Sequence, residues 1–274
     1  MSNALKIILI ILLSIIAVAL IGILTILLIR GDKFDFSMFN VSESKTLIEE
    51  KTVETYKEIN VDANYSNVEI VTNDENVISI KLYSDNIDEY SIKDEDVINV
   101  VFKEKKRVFN LFGKSPRAVI SIPKDYDKTV TVKGSVLDVK GSGSDKLNLV
   151  ADVQTGDVKV EHMDKANIKL KTGDIKIESV NELIVKSNVG DVKVKSVNYK
   201  IDITGDVGDI KIEKVDLKEN SFITNSTGDV KIGKTNAIYI EGKTDVGDVK
   251  INTNHRKSDV KKINKNHIGD IKVG

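Results

Sequence analysis

A five-residue phrase dominates the second half of the chain: glycine, aspartate, a β-branched residue, lysine, then valine or isoleucine. It begins at Gly156-Asp157, Gly173-Asp174, Gly190-Asp191, Gly208-Asp209, Gly228-Asp229, Gly247-Asp248 and Gly269-Asp270. Successive glycines lie 17, 17, 18, 20, 19 and 22 residues apart. A near-constant period of this length marks a repeat architecture, in which each unit stacks on the next.

Inside each phrase the period is two. After Gly173, Asp174 and Lys176 share one face while Ile175 and Ile177 share the other, because strand side chains alternate. Each glycine follows a β-branched residue (Thr155, Thr172, Val189, Val207, Thr227, Val246, Ile268), so one strand enters the pair and another leaves it. Glycine suits a turn that needs positive φ, and aspartate can bond the local backbone there. Apolar Met163, Val180, Val197 and Val215 recur where a second corner is expected. No helical period occurs in this half.

A single coil of this size cannot bury its own apolar face; stacked coils can, at about 4.8 Å per rung. One predicted inward row is Val158, Ile175, Val192, Ile210, Val230, Val249 and Ile271. A second, two residues on, is Val160, Ile177, Val194, Ile212, Ile232, Ile251 and Val273. The fold predicted is all-β: a β-solenoid-like stack of short strands with Gly-Asp turns. A Greek-key sandwich is the competing reading, but it does not require identical phrases at matching positions.

Stacking places Asp157, Asp174, Asp191, Asp209, Asp229, Asp248 and Asp270 in one outward column, with a lysine column from Lys159 to Lys272 beside it. Adjacent exposed like charges repel by about 1 kcal/mol, and the lysines offset this. Calcium-binding solenoids use a glycine-rich GGxGxD phrase with several oxygens per ion, which this chain lacks, so the aspartates read as turn and surface residues. No metal ligand, cofactor site or catalytic residue is assigned. His162, His255 and His267 have no common place in the repeat, and no nucleophile elbow is present.

The chain begins differently. From Ile7 to Ile29 only Ser14, Gly22 and Thr25 interrupt a strongly apolar run, long enough as a helix to span a bilayer core of about 30 Å. The small residues Ala17-Val18-Ala19 stand mid-run rather than at its end, so an uncleaved anchor is expected rather than a signal peptide. Lys6 precedes the run while Arg30 and Lys33 follow it; the short leading tail favours a cytoplasmic amino terminus and an extracytoplasmic β domain. The organisation predicted is a tail and transmembrane anchor over 1–30 and a juxtamembrane linker over 31–55, where Phe34, Phe36 and Phe39 read as interfacial. An N-terminal β section capping the stack follows over 56–134, and the Gly-Asp repeats occupy 135–274. With no cysteine there is neither a lipid-bearing cysteine nor a disulfide framework. The balance of 41 basic and 42 acidic residues argues against nucleic acid as partner.

Two stretches break the pattern. Lys103 to Arg117 joins two strands and mixes Lys105, Lys106, Arg107 and Lys114 with Phe109, Leu111 and Phe112. Those seven residues form a candidate contact for anionic lipid or cell-wall polymer; the competing reading is a long hairpin whose aromatics fold back on the core. Asn254 to Asn266 is a basic insertion behind the widest repeat spacing, read as a solvated loop that covers the final coil.

The phrases INVDANYSNVEIVT, AVISIPKDYDKTVTVKG and the repeated TGDVKV resemble the bacterial putative-adhesin β-strand repeat family over residues 56–274. That resemblance implies an envelope-associated β-repeat stack of unknown function, with no catalytic residues to carry over. The expected role is a membrane-anchored, non-enzymatic adhesin-like binding or scaffolding module with a part in envelope stress. Its partners would be the membrane itself and wall polymer, anionic lipid or an envelope protein. Two alternatives stay open on the sequence: a glycan-active β-helical enzyme, and a cytoplasm-facing partner of a signalling system.

Overall fold

The computed structural model describes residues 46–54, 56–85, 89–103, 115–235, 240–253 and 270–273. The expected anchor over 7–29 lies outside these, and among the described residues no helix is long and apolar enough to cross a membrane. Eighteen strands are described, in chain order β1 (Leu47–Val53), β2 (Ile59–Asn64), β3 (Ser66–Asn73), β4 (Ile78–Tyr83), β5 (Glu89–Asp94) and β6 (Ile98–Lys103). Then come β7 (Arg117–Pro123), β8 (Thr129–Gly143), β9 (Asn148–Thr155), β10 (Val158–Thr172), β11 (Ile175–Val189) and β12 (Val192–Val207). The last are β13 (Ile210–Val215), β14 (Ser221–Thr227), β15 (Val230–Thr235), β16 (Ile240–Val246), β17 (Val249–Thr253) and β18 (Ile271–Val273).

These strands wind into a β-solenoid with two faces. The first face stacks, in parallel, β2, the front of β8, β9, the back halves of β10, β11 and β12, then β14 and β16. The second stacks β3, the back of β8, the front halves of β10, β11 and β12, then β13, β15, β17 and β18. The chain passes from first face to second at each described Gly-Asp pair, and returns at a second corner. The register matches the predicted rows: Val158 pairs Ile175, Ile175 pairs Val192, Val192 pairs Ile210, and the row continues through Val230 and Val249 to Ile271.

Parallel strands buried on one side need apolar residues at alternate positions, and the burial follows that period. Ile175, Ile177, Val192, Val194, Ile210 and Ile212 are all buried, as are the second-corner residues Met163, Val180, Val197 and Val215. The first face contributes the facing rows, for instance Ala151, Ile168, Val185 and Ile203. Both rows meet in one continuous core.

At the amino-terminal end the stacking order departs from chain order. The coil made by β6 and β7 lies on the far side of the β2–β3 coil, while β8 covers its near side. Beyond it the direction reverses: β5 pairs antiparallel with β6, β4 pairs antiparallel with β7, and β1 with β4. Tyr126 pins this end, its buried hydroxyl donating to the Lys57 carbonyl at 2.7 Å.

The row assignment has a direct consequence for stability. Ile175→Asp or Ile210→Asp places an unpaired carboxylate between two coils and is expected to cost roughly 3–5 kcal/mol. Asp191→Asn keeps an outward acceptor and is expected to cost about 1 kcal/mol. Thermal melts of the three variants would contradict the inward and outward assignment if Asp191→Asn were the most damaging.

Candidate functional site

The Gly-Asp corner is the most repeated feature of the molecule, and its geometry starts from the glycine. Gly173, Gly190 and Gly208 adopt φ of +137°, a region L side chains rarely enter. Space excludes a side chain as well: a Cβ on Gly173 would lie 1.8 Å from the Gly156 carbonyl oxygen, and one on Gly190 1.9 Å from that of Gly173. Each glycine carbonyl therefore points at the glycine Cα of the next coil. It is thereby turned away from the amide of the following aspartate.

That amide is satisfied by a side chain instead. Asp174 N–H donates to Asp157 Oδ1 at 2.9 Å, Asp191 N–H to Asp174 Oδ1 at 3.0 Å, and Asp209 N–H to Asp191 Oδ1 at 2.9 Å. Asp229, Asp248 and Asp270 continue the pattern, each onto the aspartate one coil earlier. On either side of this bond the main-chain ladder is intact, as in Gly173 N–H to the Val189 carbonyl and Ile175 N–H to the Asp191 carbonyl, both 2.9 Å. The expected local bond within the turn is thus replaced by a bond between coils.

The ladder starts earlier than the repeated phrase does. Asp157 N–H donates to Asp138 Oδ1 at 2.8 Å, although Leu137 stands where later coils have glycine. The signal was present as LDVKG, a phrase with the aspartate, valine and lysine in place, but with leucine for the leading glycine and Gly141 for the closing valine or isoleucine.

The second carboxylate oxygen turns to lysine. Lys159 reaches Asp157 at 2.8 Å, Lys193 reaches Asp191 at 2.9 Å and Lys231 reaches Asp229 at 2.8 Å. Lys211 turns to Glu213 at 3.2 Å. The Lys193 hydrogen bond and the amide of Asp209 hold the Asp191 carboxyl below its ordinary range. For Asp229 the amide of Asp248 acts first, then Lys231. The lysines respond in the opposite sense, Lys193 being raised by Asp191.

Glycine carbonyls left over by this arrangement find partners inside in the later coils. Buried Asn225 donates to the Gly208 carbonyl at 2.7 Å, and buried Thr244 donates to that of Gly228 at 3.0 Å. Both stand in an inward row that begins with Val153 and Leu170 and becomes Ser187, Gly205, Asn225 and Thr244. Period-two reading alone missed this polar drift.

Of the other residues singled out from sequence, Lys105, Lys106, Arg107, Phe109, Leu111, Phe112 and Lys114 lie outside the described residues, as do Gly269, His255 and His267. The segment is bounded by described ends, Lys103 on β6 and Arg117 on β7, where Lys103 pairs with Asp62 and Arg117 lies 4.7 Å over the Tyr83 ring. His162 lies 3.7 Å from Asp145 on the surface. Among the described residues no group of three histidine, aspartate or glutamate side chains could hold a metal ion.

A two-faced solenoid held by side-chain bonds at one corner defines a repeat scaffold. The chain belongs to the Toastrack DUF4097 family, whose model matches residues 56–273. Similar solved structures include a "putative adhesin" from Bacteroides fragilis, 18% identical, covering 85% of this chain and 100% of that one with a TM-score of 0.49. Another is a "putative cell adhesion protein" from Clostridium sporogenes, 12% identical over 67% of this chain and 98% of that one, TM-score 0.33. A third is a "putative lipid binding protein" from Parabacteroides distasonis, 12% identical over 85% and 96% respectively, TM-score 0.41. No curated protein matches the chain.

Two predictions follow from the corner. Asp191 and Asp229 have lowered folded-state pKa values, so their contribution is present above the unfolded value of about 3.9 and is lost as pH falls through the lower folded value. Melting temperature should therefore drop below about pH 4 in the parent, and less steeply in the Asp191→Asn, Asp229→Asn double variant; parallel curves would show that these bonds carry no linkage. Calcium or a chelator should leave the melting temperature within about 1–2 °C, since a site formed only in the folded state would raise it by mass action. A clear calcium-dependent rise would instead make the aspartate column a ligand set.

Proposed function

We propose that this protein is a non-enzymatic envelope module: an anchored β-solenoid that binds or scaffolds rather than catalyses. The observation that carries the reading is the engagement of the repeated carboxylates. Oδ1 of every ladder aspartate from Asp138 to Asp248 accepts the amide of the next coil. At alternate corners Oδ2 also meets a lysine. The same bond at every coil gives these carboxylates a repeated structural task rather than a single place poised for proton transfer; they make a long surface of fixed spacing.

In this reading the apolar run over 7–29 anchors the chain in the membrane with the β domain extracytoplasmic, and the envelope is its site of action. Contact falls to the basic, apolar segment between β6 and β7. It connects β6, which pairs with β2 on the first face, to β7, which pairs with β3 on the second. Lysines, arginine and phenylalanines together suit an anionic surface, by charge attraction and by partition of the rings into the interface.

The full-length chain in detergent is expected to bind phosphatidylglycerol-containing vesicles or an anionic wall polymer. Binding should weaken as salt rises, because exposed charges are screened within about 8–10 Å at ordinary ionic strength. Changing Lys105, Lys106 and Arg107 together to serine should lower binding at least about tenfold while leaving the melting temperature in place. Unchanged binding in the triple variant would remove the segment from the contact. Protease added to intact cells would test the orientation: a protected β domain would favour a cytoplasm-facing role.

A further inference from the structure

Lysine stands on the outside of both faces of the solenoid, but the two faces treat it differently. On the second face the residue two before Lys159, Lys193 and Lys231 is an aspartate, and each lysine closes on it at 2.8 or 2.9 Å. On the first face, Lys169, Lys171 and Lys186 follow Asn167, Lys169 and Ile184 at that spacing. All three lysines are exposed, and among the described residues none of them has an ion pair.

The register brings these lysines together. Lys169 pairs Lys186 on the next coil, in an outward column that begins with Lys133 and Asp152 and goes on to Thr204. The backbones of Lys169 and Lys186 therefore lie about 4.8 Å apart, and Lys171 is two residues along the strand from Lys169, at about 6.8 Å. Level with Lys171 on the adjoining coils are the uncharged Gln154 and Asn188. Carboxylates border the triangle without closing on it. Asp152 stands between Lys133 and Lys169, Asp202 stands beyond Ile184, and Asp206 is held by Asn188 at 2.9 Å.

We propose that this lysine triangle holds the phosphoryl groups of an extended anionic polymer. The inference rests on the binding-module reading and names a partner class for a second surface. Ammonium groups on flexible stems can converge on one tetrahedral phosphoryl group, each as a point charge. The planar fork that suits a carboxylate belongs to arginine, and no arginine stands in these strands. A bilayer is the poorer fit. Asn167, Thr172, Asn188 and Thr204 surround the lysines, with Ile184 and Val189 exposed at the margins, whereas interfacial binding draws on a continuous apolar face as well as charge. A nucleic-acid strand would stack its bases on aromatic rings, and the triangle holds none. The partner that fits is a hydrated polyanion lying along the sheet, its charges met at a spacing the stack fixes.

Titration of the full-length chain in detergent with linear inorganic polyphosphate, followed by calorimetry, tests the site. Saturable binding is expected. Changing Lys169, Lys171 and Lys186 together to serine should weaken it at least about tenfold, with the melting temperature held, because charge-assisted bonds are lost from an exposed surface. Lys93, Lys146 and Lys214 are also exposed. Changing these to serine gives a charge-matched control, and should alter affinity less than about threefold, since distant charges are screened. Absence of polyphosphate binding overturns the proposal, as does an equal loss in the control, which would mean general charge attraction alone. Polyglutamate bound as tightly overturns the phosphoryl assignment, and single-stranded DNA bound more tightly turns the site over to nucleic acid. Loss of phosphatidylglycerol-vesicle binding, rather than polyphosphate binding, in the Lys169, Lys171 and Lys186 variant overturns it in favour of lipid. Vesicle binding that still depends on Lys105, Lys106 and Arg107 would leave the envelope reading standing when the polymer site falls.

Discussion

One hydrogen bond per coil, from an aspartate amide to the carboxylate of the aspartate beneath, is what the rest of this solenoid depends on. The parallel ladder would otherwise lapse at every corner, because the glycine carbonyl there faces the next Cα instead of an amide. The side-chain bond that replaces it carries the net worth of an intramolecular hydrogen bond, about 0.5–1.5 kcal/mol per coil. Neither member of the pair can be exchanged freely. Without glycine the coils cannot approach, and without a short acceptor side chain the next amide has no partner. The tight Gly-Asp phrase is the covalent record of that double requirement, and asparagine is the one other residue with the same reach and acceptor.

The inward rows were legible because parallel stacking preserves side-chain identity at each step. Val158 over Ile175 over Val192 follows from the period, and the register agrees residue by residue. Two things were hidden for physical reasons. Asp138 does the same work as Asp157 behind a leucine, since the first corner meets Ser66 of a different coil type and not another Gly-Asp pair. The amino-terminal coil order was hidden as well. Strands β2, β6 and β8 all alternate in the same way, and nothing in alternation says that β6 lies on the far side of β2 while β8 lies on the near side. Neighbour choice among equivalent strands is a tertiary matter, decided by connection lengths and edge complementarity.

Polar residues in the core tell a related story. Asn225 and Thr244 look misplaced in an inward row, yet each meets a glycine carbonyl of the preceding coil and a second carbonyl on its own strand. Gly205 makes the room, for a Cβ there would come within 2.5 Å of Asn225 Oδ1. A small residue on one coil and a donor on the next form a complementary pair across the stack. Reading each coil separately cannot find it.

The two corners also divide labour, and this explains where variation in a repeat of this kind can settle. In the described repeat coils up to Gly247 the Gly-Asp corner holds its two-residue form, and the change in spacing falls at the other corner. One extra residue enters between Val197 and Lys200 relative to the coil before, as the register shift there records. More enter between Val215 and Ser221. The second corner tolerates this because its cross-coil contacts change from coil to coil: Asn181 reaches Asp164 by a side-chain bond at 2.8 Å, whereas Asp216 N–H donates to the Val197 carbonyl at 2.9 Å. Tyr199, Glu219 and Asn220 all come from these additions. A side chain that enters by insertion at the tolerant corner is free of the repeat's structural demands, so chemistry that differs from coil to coil belongs there. The aspartate corner, required at every step, stays uniform.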